Sequence, residues 1–199
     1  MLAMIDLRGE QTKSSDPHQL QAYLQQLVGE PFLHLRFSYG DELALHFGTA
    51  REYDSPRMKH CVKGSYILGM RASNWHLKGS SPSVLVIGSA EDGGDTPGSA
   101  TSTKEQLEAA AFIRPGSIVV SATVRPMTNP TMAAGYGVSL VLSDGSAFLV
   151  TPEAIHSESP ESDIADWELF TPYERLLRAG PGMEWSYLPT RRTPSPQTV

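Results

Sequence analysis

The side chains best equipped for chemistry in this sequence are imidazoles, one thiol and a run of carboxylates. His34, His46, His60 and His76 supply the first group, Cys61 the second. Glu153, Glu158, Glu161, Asp163, Asp166, Glu168 and Glu174 supply the third, with no Lys or Arg among them. Imidazole and thiolate together suit zinc, and neighbouring strands can present them. No pair here has the tight spacing of a structural zinc motif, and Arg36 lies beside the histidines and would oppose a cation. No metal is assigned.

Cys61 follows His60 and lies between Lys59 and Lys63, a cationic setting that favours thiolate. Adjacent residues on an extended chain point apart, so His60 is not its base by adjacency alone. A hydrolase built on the His34, His46 and Cys61 neighbourhood is one reading of these residues. Paired-carboxylate catalysis has less support. Asp41 and Glu42 are explained by turn chemistry, and nothing fixes a separation among the later acids. Gly135-Tyr136-Gly137 opens like a dinucleotide fingerprint, but Leu140 stands where a third glycine belongs and a strand follows in place of a helix. No cofactor is assigned, and no catalytic residue.

Charge is more informative in its distribution than in its sum. The net charge of −6 over 199 residues argues against general nucleic-acid binding, which needs cations to displace counterions from phosphates. From Arg51 to Lys78 six Lys or Arg face only Glu52 and Asp54, whereas the stretch from Glu153 to Glu174 is wholly acidic. Such asymmetry can mark a docking surface or two segments that neutralise each other. The docking reading places Glu158, Glu161, Asp163 and Asp166 in contact with a partner protein, one of basic character if the acids steer it.

The single Cys61 excludes an intramolecular disulfide framework. The first residues lack the basic start and apolar run of a signal peptide. The longest mostly apolar stretch, Ile118 to Val124, is far too short for a membrane helix. A cytoplasmic, non-membrane protein is the expectation.

These residues must be positioned by strands. Leu33 to Phe47, Val138 to Val150 and Trp167 to Leu177 each alternate with a period of two around Gly, Asp or Pro, the pattern of antiparallel hairpins. In the first, a three-residue loop at 40–42 pairs Phe37 with Leu45 and Leu35 with Phe47, placing the apolar groups on one face. It places His34, Arg36 and His46 on the other, with Arg36 opposite His46. In the second, Leu142 pairs with Ala147, Val141 with Phe148 and Leu140 with Leu149. Residues 48–64 read as a loop, and 126–137 as irregular. Tyr66 to Met70 and Trp75 to Leu77 read as strands. Trp75, Trp167 and Trp185 read as core.

Asp16-Pro17 opens an amphipathic helix whose stripe is Leu20, Tyr23, Leu24, Leu27 and Val28, stopped by Gly29. Ser102-Thr103-Lys104-Glu105 opens a second short helix. Residues 88–102 and 190–199 lack large apolar groups other than the terminal Val199 and read as a mobile loop and a disordered tail.

The expected fold is α+β and predominantly antiparallel β-sheet, as a twisted meander or partly closed barrel with an N-terminal amphipathic helix and a second short helix. Residues 1–189 form a single globular domain in this reading. The expected function is a non-enzymatic protein-interaction module: a small regulator, adaptor, inhibitor or assembly subunit. A barrel or cup holding a small molecule is the alternative, and the hydrolase the second.

Overall fold

The computed structural model describes residues 12–37, 43–53, 58, 61–70, 73–79, 86–88, 114–127, 134–152, 166–180 and 182–190. Within them the chain builds two antiparallel sheets. Strands β1 (Thr12–Ser14), β2 (Phe32–Phe37), β3 (Leu43–Glu52), β4 (Val62–Met70), β10 (Trp167–Phe170), β11 (Arg175–Ala179) and β12 (Trp185–Pro189) form the first. Its order is β1-β12-β11-β10-β4-β3-β2. Strands β5 (Ser73–Lys78), β6 (Val86–Gly88), β7 (Val119–Met127), β8 (Gly135–Leu142) and β9 (Ala147–Pro152) form the second, in the order β6-β5-β9-β8-β7. The expected antiparallel α+β character is observed. A barrel is not: neither sheet closes on itself, and the strands divide between two sheets where one meander was expected. Residues 103–112 and 191–199 lie outside the described residues, as does 89–102.

Helix α1 (Pro17–Leu24) starts where the sequence places it. The Asp16 carboxylate accepts the His18 N–H at 2.9 Å, and Pro17 occupies a first-turn position that needs no donor. The apolar stripe buries Leu20, Tyr23, Leu24 and Leu27, but Val28 lies beyond the last turn and is exposed. Tyr23 meets Trp185 and Tyr187 at ring-centroid distances of 5.5 and 4.4 Å, fixing the helix to β12.

The polar side of the same helix protects a sheet edge. Gln21 Nε2 and Gln25 Nε2 both donate to the Ala122 carbonyl, at 2.8 and 2.7 Å, and Gln21 Oε1 accepts the Val124 N–H at 2.7 Å. The Gln21 amide thus stands in for a neighbouring strand along β7, whose free edge would otherwise invite pairing with another chain. Gln21→Ala is expected to cost about 1–3 kcal/mol, since it strips the Val124 N–H of its acceptor and leaves the Ala122 carbonyl with Gln25 alone. Urea unfolding checks this; a change below about 0.5 kcal/mol would mean water replaces the amide fully.

One hydrophobic cluster runs through both sheets and α1. Trp75, Trp167 and Trp185 are all in it, as expected, and Trp167 donates its Nε1–H to the Tyr136 carbonyl at 2.6 Å, tying β10 to β8. The sheets also meet at a corner, where Pro31 bridges Ile118. Further along, β4 and β5 carry the chain from one sheet to the other.

The hairpin registers differ from expectation in instructive ways. In the first, Phe37 pairs with Leu43 and Leu35 with Leu45. Relative to the expected register this is a slip of two positions, which preserves the faces. His34, not Arg36, therefore stands opposite His46. An irregularity between Phe32 and His34 lets Phe32 and Leu35 both turn toward the core. In the second hairpin Leu140 pairs with Phe148 and Val141 with Ala147. The turn is Ser143-Asp144-Gly145, with Leu142 N–H donating to the Ser146 carbonyl at 2.9 Å and Gly145 at φ 86°. That three-residue loop with a left-handed third position is shorter by one than the loop first expected, and it brings the two buried residues onto one face. The third hairpin forms where the sequence places it, and its register, not assigned from sequence, pairs Phe170 with Leu176 and Leu169 with Leu177.

Residues 48–64 are not a loop throughout. β3 runs to Glu52 and β4 starts at Val62, with a bulge between Phe47 and Ala50 where Gly48 adopts φ 82°. A period-two reading cannot carry across an inserted residue. Likewise β7 extends through Met127 and β8 begins at Gly135, so part of the expected irregular stretch is strand.

Candidate functional site

The outer face of the seven-stranded sheet, opposite the core, gathers most of the chemistry-bearing residues. His34 and His46, cross-strand neighbours, stack with ring centroids 4.3 Å apart and planes inclined by 18°. His46 is 1 % exposed. Its Nδ1 accepts the Gly64 N–H at 3.0 Å, which fixes that nitrogen as the unprotonated one. Burial, reinforced by the neighbouring His34 and Arg36, holds the His46 imidazole down to about 4. His34 is lowered too, by burial and then by Arg36. Both rings are therefore neutral near pH 7.

Arg36 Nη2 donates to Cys61 Sγ at 3.6 Å. Hydrogen bonding to Cys61 and to Tyr53 raises the guanidinium above its ordinary value. Lys63 Nζ lies 5.3 Å from the centre of the Tyr53 ring, a cation–π contact. The expected neighbourhood of His34, His46 and Cys61 is thus real in part. The two imidazoles meet each other, and the thiol meets Arg36. His60 lies outside the described residues. His76 belongs to β5 in the other sheet, paired with Leu149 and Gly88. Among the described residues no group of three His, Cys, Asp or Glu could hold a metal ion.

Beside this cluster the same face opens into a cleft of about 470 Å³. Arg51 and Lys63 face each other across the β3–β4 ladder at its wall. Ile67 and Phe170, partners across β4–β10, also line it. The β10–β11 turn contributes Thr171, Pro172 and Glu174. Glu174 has φ 55°, the single positive-φ residue other than glycine among the described residues. Phe170 and Tyr173 remain 36 % and 37 % exposed. From sequence, Arg51 and Glu174 stand only as ends of the basic and acidic stretches, not as candidate site residues. Their meeting depends on the extended β3–β4 ribbon, which reads as a loop.

The acidic residues fare differently. Glu158, Glu161 and Asp163 lie outside the described residues. Asp166, expected with them on a docking surface, is 2 % exposed. A Cβ at Gly180 would collide with its carboxylate, and one at Gly135 would lie 3.0 Å from Oδ2 and 2.7 Å from Pro152 Cγ. The carboxyl therefore fills space left by two glycines, one beside each sheet. Its backbone N–H donates to the Ala179 carbonyl at 2.9 Å. Burial pushes it up to about 7. Asp166 is a packing element at the junction of the sheets and no part of an exposed acidic surface. Glu168, at 8 % exposure, pairs with Arg178 Nε at 2.9 Å. The acidity of this stretch is therefore partly spent inside the fold.

No helix among the described residues is long and apolar enough to cross a membrane. Comparison with protein-family models, with curated proteins and with solved structures finds no match to this chain.

Proposed function

We propose that this chain is a non-enzymatic interaction module that binds another protein through the outer face of the seven-stranded sheet. The observation that carries this reading is the pair of exposed aromatics, Phe170 and Tyr173, at and beside the cleft that Arg51 and Lys63 flank. Aromatic and arginine side chains set around a concavity are the usual anchors of a protein interface. The neutral, stacked histidines and the Arg36–Cys61 contact rigidify the neighbouring surface.

The barrel-type ligand reading has less to rest on, because large side chains such as Trp167, Phe47 and Tyr136 fill the space between the open sheets. For the hydrolase reading, the Cys61 thiol accepts from the Arg36 guanidinium, a group that orients a nucleophile but does not take its proton.

Phe170→Asp with Tyr173→Ser should keep the fold intact at a cost of about 1–3 kcal/mol, because Phe170 is only partly exposed and Tyr173 hydrogen-bonds Tyr66. It should weaken partner binding by about 30-fold or more, the effect of removing an aromatic anchor. Undiminished binding would move the interface elsewhere. The acids Glu158, Glu161 and Asp163 enter this proposal as steering charges. Their reversal to Lys should slow association and flatten its salt dependence with the fold intact. Unchanged association kinetics at two ionic strengths would remove them.

A further inference from the structure

The seven-stranded sheet ends at β2. We infer that the free edge of this strand takes up an extended segment of a partner protein as an added strand, apolar toward the core and acidic beside Arg36. Over residues 34–37 the ladder with β3 is regular, so alternate residues direct both N–H and C=O away from it. Among the described residues nothing pairs with these outward groups. A row of such groups is a template for another strand. The edge of β7, by contrast, is covered by the Gln21 and Gln25 amides of α1.

The start of β2 shows that its edge accepts a neighbour. There an antiparallel bridge joins Pro31 to Ile118. Phe32 N–H donates to the Ser117 carbonyl at 2.7 Å, and Gly116 N–H donates to the Phe32 carbonyl at 2.7 Å. The pairing stops where the chain turns between Arg114 and Ser117, with Gly116 at φ 88° and Ser117 N–H donating to the Arg114 carbonyl at 3.0 Å. Arg114 N–H donates instead to Asp144 Oδ2 at 3.2 Å, away from β2. The core changes at the same place. Phe32, beside the paired segment, is buried, whereas Leu35 packs against the core but is only half-buried. Its partner across the ladder, Leu45, is buried completely. The core therefore runs out at the unpaired part of β2, and an apolar side chain on an added strand would cover Leu35.

Charge selects the other face of that strand. Arg36 is exposed on the outer face and touches the Cys61 sulfur and Tyr53, neither of them a carboxylate. Opposite charges on neighbouring strands stabilise a sheet, so the position beside Arg36 favours Asp or Glu. Alternation then turns the residues on either side of that acid toward Leu35. A second copy of this chain meets the requirement less well, since β2 carries no acid and pairing two such strands leaves Arg36 without a carboxylate. The inference does not rest on docking at Phe170 and Tyr173.

The test titrates the full chain into a labelled, capped peptide of alternating Val and Glu, followed by fluorescence anisotropy. The controls are the same peptide with Lys in place of Glu and a fully N-methylated Val–Glu peptide, which offers no backbone donor. Saturable binding of the Val–Glu peptide is expected within the millimolar range. The Lys peptide should bind more weakly by about 10-fold or more, the worth of one charge-assisted hydrogen bond, and the N-methylated peptide not at all. Amide exchange at residues 34–37 should slow in the complex. Arg36→Gln should remove the preference for Glu over Lys, with circular dichroism confirming that this exposed substitution leaves the fold intact. Phe170→Asp with Tyr173→Ser should leave that preference in place, which separates this edge from the proposed outer-face surface. Absence of saturable binding by the Val–Glu peptide overturns the inference. So does binding that survives N-methylation, or a preference for Glu that persists in Arg36→Gln.

Discussion

Asp166→Asn raises the stability of the folded chain above neutral pH, and it changes the shape of the stability–pH curve. The carboxyl is at about 7 in the folded chain against an ordinary value of 3.8. Below the ordinary value both states are protonated and the group contributes nothing. Between the two values the unfolded chain ionises and the folded chain does not, so stability falls as pH rises. Above about 7 the penalty is complete, at most on the order of 4 kcal/mol from the size of the displacement. His46 acts with the opposite sign. Its folded value, about 4, lies below the ordinary 6.5, so stability is lost as pH falls through that interval. In the native chain the two effects largely cancel between about 4 and 6.5. Asn removes the first and uncovers the second. Urea unfolding of Asp166→Asn should show stability rising from about pH 4 to 6.5, and exceeding the native protein by a few kcal/mol near pH 8. Parallel curves for the two proteins would mean that the buried carboxyl is ionised in the fold at ordinary pH.

The second large effect is expected at Gly64. A Cβ built there collides with the Phe47 carbonyl oxygen and lies 2.6 Å from the Phe47 nitrogen and 2.8 Å from the Tyr66 carbonyl oxygen. All three are backbone atoms of the bulged β3–β4 ribbon, which cannot rotate aside as a side chain would. The Gly64 N–H is also the donor to His46 Nδ1, so displacing this backbone strips the buried imidazole of its partner. Gly64→Ala should cost about 3 kcal/mol or more, the upper part of the range for overpacking combined with a lost buried hydrogen bond. Gly69→Ala, further along β4 with open space around its Cβ, is the control and should cost well under 1 kcal/mol. Equal effects at both glycines would show that strand propensity, and not the close approach at Phe47, governs the site.

Much of the strand pattern was legible because side chains alternate. The face assignment of Leu35, Leu43, Leu45 and Phe47 against His34, Arg36 and His46 follows from period two and survives the slip in register. Phe37 shares this ladder, though its side chain lies outside the described residues. Which residues stand opposite one another was less legible. That depends on loop length and on inserted residues, such as those between Phe32 and His34 and between Phe47 and Ala50, where alternation breaks. Asp144-Gly145 signals a hairpin but does not say whether two, three or four residues turn. Asp144 accepts from Ser146 N–H at 2.9 Å and from Arg114 N–H at 3.2 Å, contacts that help select the three-residue form.

The candidate site shows the same division. The histidines and Arg36 were placed on one face from local spacing alone. The contact between Arg36 and Cys61 joins residues 25 apart, and the cleft joins Arg51 to Glu174, far more distant in the chain. Neither leaves a local trace. Asp166 reads as a surface acid because its neighbours are acidic. Its burial is decided by the small size of Gly135 and Gly180, which only the packing of the two sheets brings to it.

The most direct test of the proposed interaction surface is hydrogen exchange on the chain alone and in complex with whatever partner co-purifies from its native host. Amides of β4 and β10, and of the turn from Thr171 to Glu174, should gain protection in the complex, because they frame the cleft and the exposed Phe170 and Tyr173. Amides of β5 and β9, in the other sheet, should be unchanged. Protection confined to the five-stranded sheet, or a complex that leaves residues 62–70 and 167–174 exchanging as in the free chain, would contradict binding through this face.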